Sequence, residues 1–363
     1  MIVDTKRFEI QPLHAEALPD VAAFLGRWPG LPDATQSLRR LRWLLLDNPL
    51  ATATTDHGLC VRDTSGAVVG LLVAFAHAFR AGDGRLLGLC SGNYFVAPQA
   101  RTLGFYLFKR HLQSSGFDLF FSTSCNAVSG ELWAALGAHA VPDSDAKYVL
   151  PLNLDVVLSA FLAARASSSL VMGSARVLAR CATSIWRSVV PTSSDISVDP
   201  CRDWEKLAAL ADRNRSRRWV TTDRSAAYLE WRYGPGSPNQ AADICVFRDT
   251  GGNEGWFALG ETVRGDRITV RGRALLDATW PRDQMEFGAV LTAIARFAER
   301  DTDAIYFRPR RGVDYGELRR FILHRRREPP CAFAAAGKGR SPVAPASLDL
   351  VLADGDSGFS DDA

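Results

Sequence analysis

The 363-residue sequence has no apolar run of the ~20 residues that a membrane-spanning helix requires. Its longest, from Ala67 to Phe79, contains His77 and is flanked by turn residues, which fits paired buried strands better than a span. A C-x-x-C pair is also missing. The seven cysteines (60, 90, 125, 181, 201, 245, 331) are scattered and mostly lie in apolar runs, as reduced core thiols do. The six histidines (14, 57, 77, 111, 139, 324) form no ligand pair, so no metal site is expected. The opening MIVDTKRFEIQP lacks the basic-then-apolar order of a signal peptide, and the expected location is cytoplasmic. A net charge of only +3 supplies no global field for nucleic acid.

What is present describes a globular chain long enough for two ordinary domains, with 47% apolar and 23% charged residues. Its organising stretch runs from Ser91 to Ser114. A β-rich run from Leu86 stops at Pro98, a short loop follows, and after Gly104 a helical pattern places Leu107, Phe108 and Leu112 on one face. A strand that breaks into a loop and opens a helix offers backbone N–H groups and a positive dipole end to a phosphate or pyrophosphate. A second strand is expected at Asp118 to Asn126, a helix over VSGELWAAL ending at Gly137-Ala138, and a strand at Lys147 to Leu152. Upstream, Phe8 to Pro12 reads as a strand and Ala15 to Leu25 as a helix. Asp33 caps a second helix with Leu38, Leu41, Leu44 and Leu45 inward, which Pro49 stops. Gly58 to Arg62 and Ala67 to Ala76 form a hairpin.

Two segments here resemble the GNAT superfamily of N-acetyltransferases. The family's acyl-CoA loop reads roughly V-x-P-x-x-R-G-x-G-x-G, and this chain has Val96, Pro98, Arg101 and Gly104, with Thr102 and Tyr106 at two glycine positions. Its following segment resembles N-x-x-[SA]-x-x-L-[YW]-x-x-L-G-[FA], matched by Asn126, Ser129, Leu132, Trp133, Leu136, Gly137 and Ala138. The resemblance implies an α/β fold with a mixed sheet and acetyl-CoA or another acyl-CoA as co-substrate. It places Phe95, Val96, Arg101, Thr102, Leu103, Gly104, Phe105, Tyr106, Asn126, Ser129 and Trp133 against that co-substrate.

Past Leu154 the composition turns Ala-, Ser- and Arg-rich as far as Val190, and Thr192 to Ser194 looks like a hinge. This segment reads as a helical connector or as a basic amphipathic helix lying on an anionic membrane. Beyond it the order of elements returns, and RWLLLDNP (Arg42 to Pro49) has a counterpart in WRYGPGSP (Trp231 to Pro238), the mark of a duplicated unit. The expectation is two tandem GNAT-like folds: 1–152, a linker at 153–193, a degenerate second copy at 194–353, and an acidic tail at 354–363. The aromatic and basic segment also resembles, more loosely, tandem acyltransferases of bacterial exopolysaccharide clusters. In the second copy the matching turn, Thr279 to Gln284, has no glycine and carries Asp283, so chemistry is expected in the first.

Acyl transfer to an amine needs a base, oxyanion donors and an acid for the leaving thiolate. The resemblance implies a tyrosine as acid, but its position falls on Trp133, which leaves Tyr94, Tyr106 or water for that role. Asn93, Tyr94, His77 and Glu131 are base candidates, Asn126 completes the catalytic set, and the backbone near Phe95 and Val96 could hold the oxyanion. His77 in an apolar strand also reads as a satisfied core histidine. Cys125 has no histidine or aspartate at an interpretable spacing. The basic run from Arg308 to Arg327 suits an anionic small-molecule or saccharide acceptor, or a solvated helix face. The rival readings are a non-catalytic GNAT-like scaffold and a relative of the aminoacyl transferases.

Overall fold

The computed structural model describes residues 7–53, 57–163, 195–264, 268–299, 301–324, 329–340 and 343–355. The connector and membrane-surface readings of 164–190, Arg325 to Arg327 and most of the expected acidic tail lie outside these residues. Among the described residues no helix is long and apolar enough to cross a membrane.

The chain forms two compact units, and neither is a contiguous half. One comprises Met1–Asp145, Arg217–Gln240 and Glu328–Ala363; the other comprises Ala146–Ser216 and Ala241–Arg327.

The first unit contains β1 (Phe8–Pro12), α1 (Leu18–Leu25), α2 (Ala34–Leu45), β2 (Gly58–Asp63), β3 (Val68–Ala81), β4 (Gly84–Val96), α3 (Gly104–His111), β5 (Leu119–Ser122), α4 (Ala127–Ala135) and β6 (His139–Ala140). Asp33 caps α2 as expected, its carboxylate accepting the Gln36 N–H at 2.8 Å. The β2–β3 turn is held by Asp63, whose carboxylate accepts the N–H groups of Ser65 and Ala67, and Gly66 takes the positive φ the turn requires. The sheet runs β1-β2-β3-β4-β5, then β15 (Phe333–Ala336), then β6. Strands β1 to β4 pair antiparallel and β4–β5 is parallel. Phe75, Phe108, Phe120, Phe121 and Trp133 are fully buried in this unit.

The second unit repeats that order. Its sheet runs β8 (Ser197–Pro200), β10 (Asp243–Arg248), β11 (Glu254–Arg264), β12 (Val270–Thr279), β13 (Ala304–Phe307), β7 (Tyr148–Pro151) and β14 (Leu323–His324). The β12–β13 pair is parallel and its neighbours are antiparallel, matching β4–β5 position for position. The helix Phe287–Ala298 buries Phe287, Val290, Leu291 and Ile294 against Phe257, Leu259 and Ile305.

The expected boundaries at 152 and 194 therefore do not describe the units. Strand β7, expected to close the first sheet, pairs with β13 and β14 in the second. Its place beside β5 is taken by β15, from far down the chain. Tyr148–Pro151 and Phe333–Ala336 are both short apolar strands, so either satisfies the edge that β5 or β13 presents, and sequence pattern does not say which. Val220 and Leu348 form a single parallel bridge, followed by a 3-10 turn at Leu352–Asp354, and Gly316–Phe321 is another 3-10 turn.

The duplication read from RWLLLDNP and WRYGPGSP has a geometric counterpart. Trp43 on α2 and Trp231 on the helix Ala226–Tyr233 stack at 4.8 Å with their planes 14° apart. Each indole N–H donates to the other's backbone carbonyl, at 2.8 and 2.9 Å.

Candidate functional site

The site forms where β4 and β5 part. Their parallel pairing covers only Gly88 to Cys90 against Leu119 to Phe121. Ser91 makes a last tie, its hydroxyl donating to the Phe121 carbonyl at 3.5 Å. On its other edge β4 carries a bulge, because Tyr94 pairs with Leu72 and Gly92 with Val73 while Asn93 stands between them at φ 45°. A bulge bends and twists its strand, and here it re-aims β4 just beyond the last β5 contact.

The resulting cavity holds about 190 Å³. Gly92, Asn93, Tyr94 and Phe95 form one wall; Ser122, Ser124, Cys125 and Asn126 form the other; Trp133 and Phe108 lie at its base. Trp133 is fully buried and packs edge-on against Phe108 at 5.7 Å, so its indole supports the cavity floor. Asn126 and Ser129 make a capping box at the start of α4: the Asn126 carboxamide oxygen accepts the Ser129 N–H at 2.9 Å and the Ser129 hydroxyl accepts the Asn126 N–H at 3.0 Å. That commits the Asn126 side chain to the helix end, where it lines the cavity without a proton to exchange.

Of the residues singled out from sequence, the fold gathers Asn93, Tyr94, Phe95, Asn126, Ser129 and Trp133 around this one space. It does not bring Val96, Arg101, Thr102, Leu103, Phe105 or Tyr106 to the cavity wall. Residues Pro98–Leu103 coil as a 3-10 helix instead of an open loop. Two N–H groups expected to face a phosphate are thereby used, Ala100 donating to Ala97 and Gly104 to Arg101. Arg101, Thr102, Phe105 and Tyr106 are exposed around the start of α3, and Leu103 is buried beneath it. Gly104 is needed for a reason unrelated to phosphate. A β-carbon there would lie 1.9 Å from the Tyr94 hydroxyl, so the glycine makes room for the tyrosine. Burial raises the Tyr94 hydroxyl pKa above its ordinary value, with Arg101 opposing that shift. The phenol therefore stays protonated at neutral pH, as a proton donor must be.

His77, a base candidate, lies elsewhere. It is 1% exposed, packed among Phe79, Phe121 and Tyr228, with Nε2 hydrogen-bonded to the Thr222 hydroxyl at 3.0 Å. Desolvation, with Arg232 and Arg224 nearby, pushes its pKa well below the usual range. It is a neutral core histidine. Glu131 is exposed on α4 and does not line the cavity. Cys125 is buried beside the cavity, and its N–H donates to the Cys331 carbonyl.

The hydroxyls of Ser91, Ser122 and Ser124 were not singled out as site residues. The signal was the small polar run at the end of each splayed strand, SGN and STSCN, in otherwise apolar sequence. In the second unit the basic run is partly consumed structurally. Arg310 donates to the Ala278 carbonyl, and both it and Arg282 lie over the Trp280 ring at 5.4 and 4.8 Å. Among the described residues no group of histidine, cysteine or acidic side chains could hold a metal ion.

No family model matches the sequence, and no curated protein matches it. Solved structures do. A GCN5-related N-acetyltransferase from Anabaena variabilis aligns over 91% of this chain and 73% of its own, at 10% identity and a TM-score of 0.58. A probable N-acyltransferase from Enterococcus faecalis aligns over 91% and 72%, at 10% identity and a TM-score of 0.55. The N-myristoyltransferase of Saccharomyces cerevisiae, solved with myristoyl-CoA, aligns over 99% and 86%, at 11% identity and a TM-score of 0.53. At such identities the likeness concerns the fold. The chain has the mixed α/β fold of the GCN5-related N-acetyltransferases, carried on two sheets of matching strand order.

Proposed function

We propose that the protein is an acyltransferase that moves an acetyl or longer acyl group from acyl-CoA to an amine on a small-molecule or saccharide acceptor. The observation carrying this reading is the splay of β4 from β5 at the Asn93 bulge, which opens a polar-walled cavity in the middle of a sheet. A thioester arm laid in that gap meets main-chain donors on β4 at the bulge, where strand pairing is interrupted, and such donors are suited to a tetrahedral oxyanion. Tyr94 is the candidate acid for the departing thiolate, since its phenol is protonated, half-buried and on the cavity wall. The serine hydroxyls opposite can orient the acceptor amine and relay its proton to water. Arg101 and the exposed residues at the start of α3 are the candidate contacts for the CoA phosphates, made by side chains more than by an open glycine loop.

Calorimetric titration with acetyl-CoA and longer acyl-CoAs tests this, repeated on Arg101→Glu and Tyr94→Phe. Micromolar binding that weakens at least tenfold in Arg101→Glu, together with thiol release that Tyr94→Phe slows without changing affinity, would support both assignments. No binding of any acyl-CoA by the folded protein would sink the acyltransferase reading and favour a binding scaffold.

A further inference from the structure

A second concavity lies along α2. It is a groove of about 880 Å³ that runs from Thr35 to Asp47 on one side and along the loop Gly236 to Gln240 on the other. At 1.5 Å per residue the part of α2 from Thr35 to its end at Leu45 is about 15 Å long. Its floor is built firmly. Trp43 lines it and is clamped from behind by the stacked Trp231 and their two reciprocal hydrogen bonds. Leu38, expected in the core, instead lies half-buried along the groove.

Three arginines line the groove, Arg39, Arg40 and Arg42, against one acid, Asp47. Arg39 and Arg42 are three residues apart, hence on one face of the helix, and both are exposed. Several other guanidinium groups of this unit are held by partners: Arg62 by Asp20, Arg85 by Asp223, Arg217 by Asp83 and Arg340 by Asp118, while Arg110 donates to the Ile10 carbonyl. Arg39 and Arg42 have no ion pair or side-chain hydrogen bond among the described residues. The opposing acids are Asp47, at the far end of the groove, and Asp33, which is committed to the α2 cap. Thr35, Gln36 and Ser237 add neutral polar groups between them.

Two unpaired guanidinium groups one helical turn apart, over a rigid indole floor, match a ligand with two adjoining tetrahedral anions. Each fork takes one by paired N–H donors, and the fixed floor holds the ordering cost down. We propose that this groove binds a diphosphate-bearing ligand through Arg39 and Arg42. If the protein is an acyltransferase, that ligand is its acceptor. Only this last step rests on the reading above. Leu31, three residues before α2 begins, lines the acyl cavity.

The test is calorimetric titration of the full chain with inorganic pyrophosphate, on the parent and on Arg39→Gln/Arg42→Gln, with far-ultraviolet dichroism confirming the fold. The expected result is binding in the parent that weakens at least tenfold in the variant and at raised salt, and that is unchanged by saturating acetyl-CoA. Absence of pyrophosphate binding, equal binding by the variant, preference for citrate over pyrophosphate, or competition by acetyl-CoA would each overturn the proposal. Failure of the acyl-CoA titration would leave the pyrophosphate isotherm untouched, which separates the two readings.

Discussion

Removing the Asp354 carboxylate should unfold the first unit more readily than almost any other single change. Asp354 is fully buried near the C-terminal end of the described chain. Its carboxylate accepts the Val351 N–H at 2.6 Å and the Thr222 hydroxyl, and lies 4.0 Å from the guanidinium of Arg224, itself 8% exposed. Thr222 in turn holds His77, and Arg232 donates to the carbonyl of Gly355. Truncating one member of a buried charge pair leaves the other in low dielectric, at a cost of about 3–5 kcal/mol. For a unit of this size each kcal/mol is worth roughly 2–4 °C, so Asp354→Ala should lower the midpoint by about 6–20 °C. Asp354→Asn keeps the shape and one acceptor and should lose less than Asp354→Ala. Differential scanning calorimetry of the full chain measures both. A midpoint for Asp354→Ala within a degree of the parent would refute the argument that this buried pair secures the segment.

Two further expectations concern stability. Burial lowers the His111 pKa to about 3 and that of His77 well below its ordinary range, so the unfolded chain takes up protons that the native state refuses. Stability is then unaffected by these groups above pH ~6.5 and falls as the pH drops below it, with a slope of up to about 1.4 kcal/mol per pH unit for each histidine. Urea unfolding between pH 7 and 4 should show a shallower fall in His111→Phe, and an unchanged slope would contradict this. Gly104→Ala places a methyl group on the Tyr94 hydroxyl and should cost about 1–3 kcal/mol. Tyr94→Phe should recover most of that loss in a double-mutant cycle, whereas additive losses would disprove the close packing.

Much of the first sheet was legible because its signals are local. The Asp33 cap, the Asp63 turn, the helix stop at Pro49 and the apolar run of β3 each depend on neighbours a few residues away. The tandem repeat was legible from Trp43 and Trp231, though nothing in the sequence said that the two would stack. Asn93 and Tyr94 could be placed at the site because the motif resemblance fixed their strand. What escaped were contacts made across long stretches of chain. The exchange of β7 and β15 depends on which of two similar apolar strands reaches which edge. The 3-10 coil at Pro98–Leu103 depends on how tightly Ala100 and Leu103 are drawn inward. The role of Gly104 could not be read without knowing where the Tyr94 ring goes.

The exchanged strands also constrain the order in which the protein can be made. Ser122 meets its partner Phe333 more than two hundred residues later in the chain. The first sheet therefore keeps its β5 edge open until the segment that forms β15 has been made. Closing so long a loop is slow, and an open strand edge is a template for other chains in the meantime.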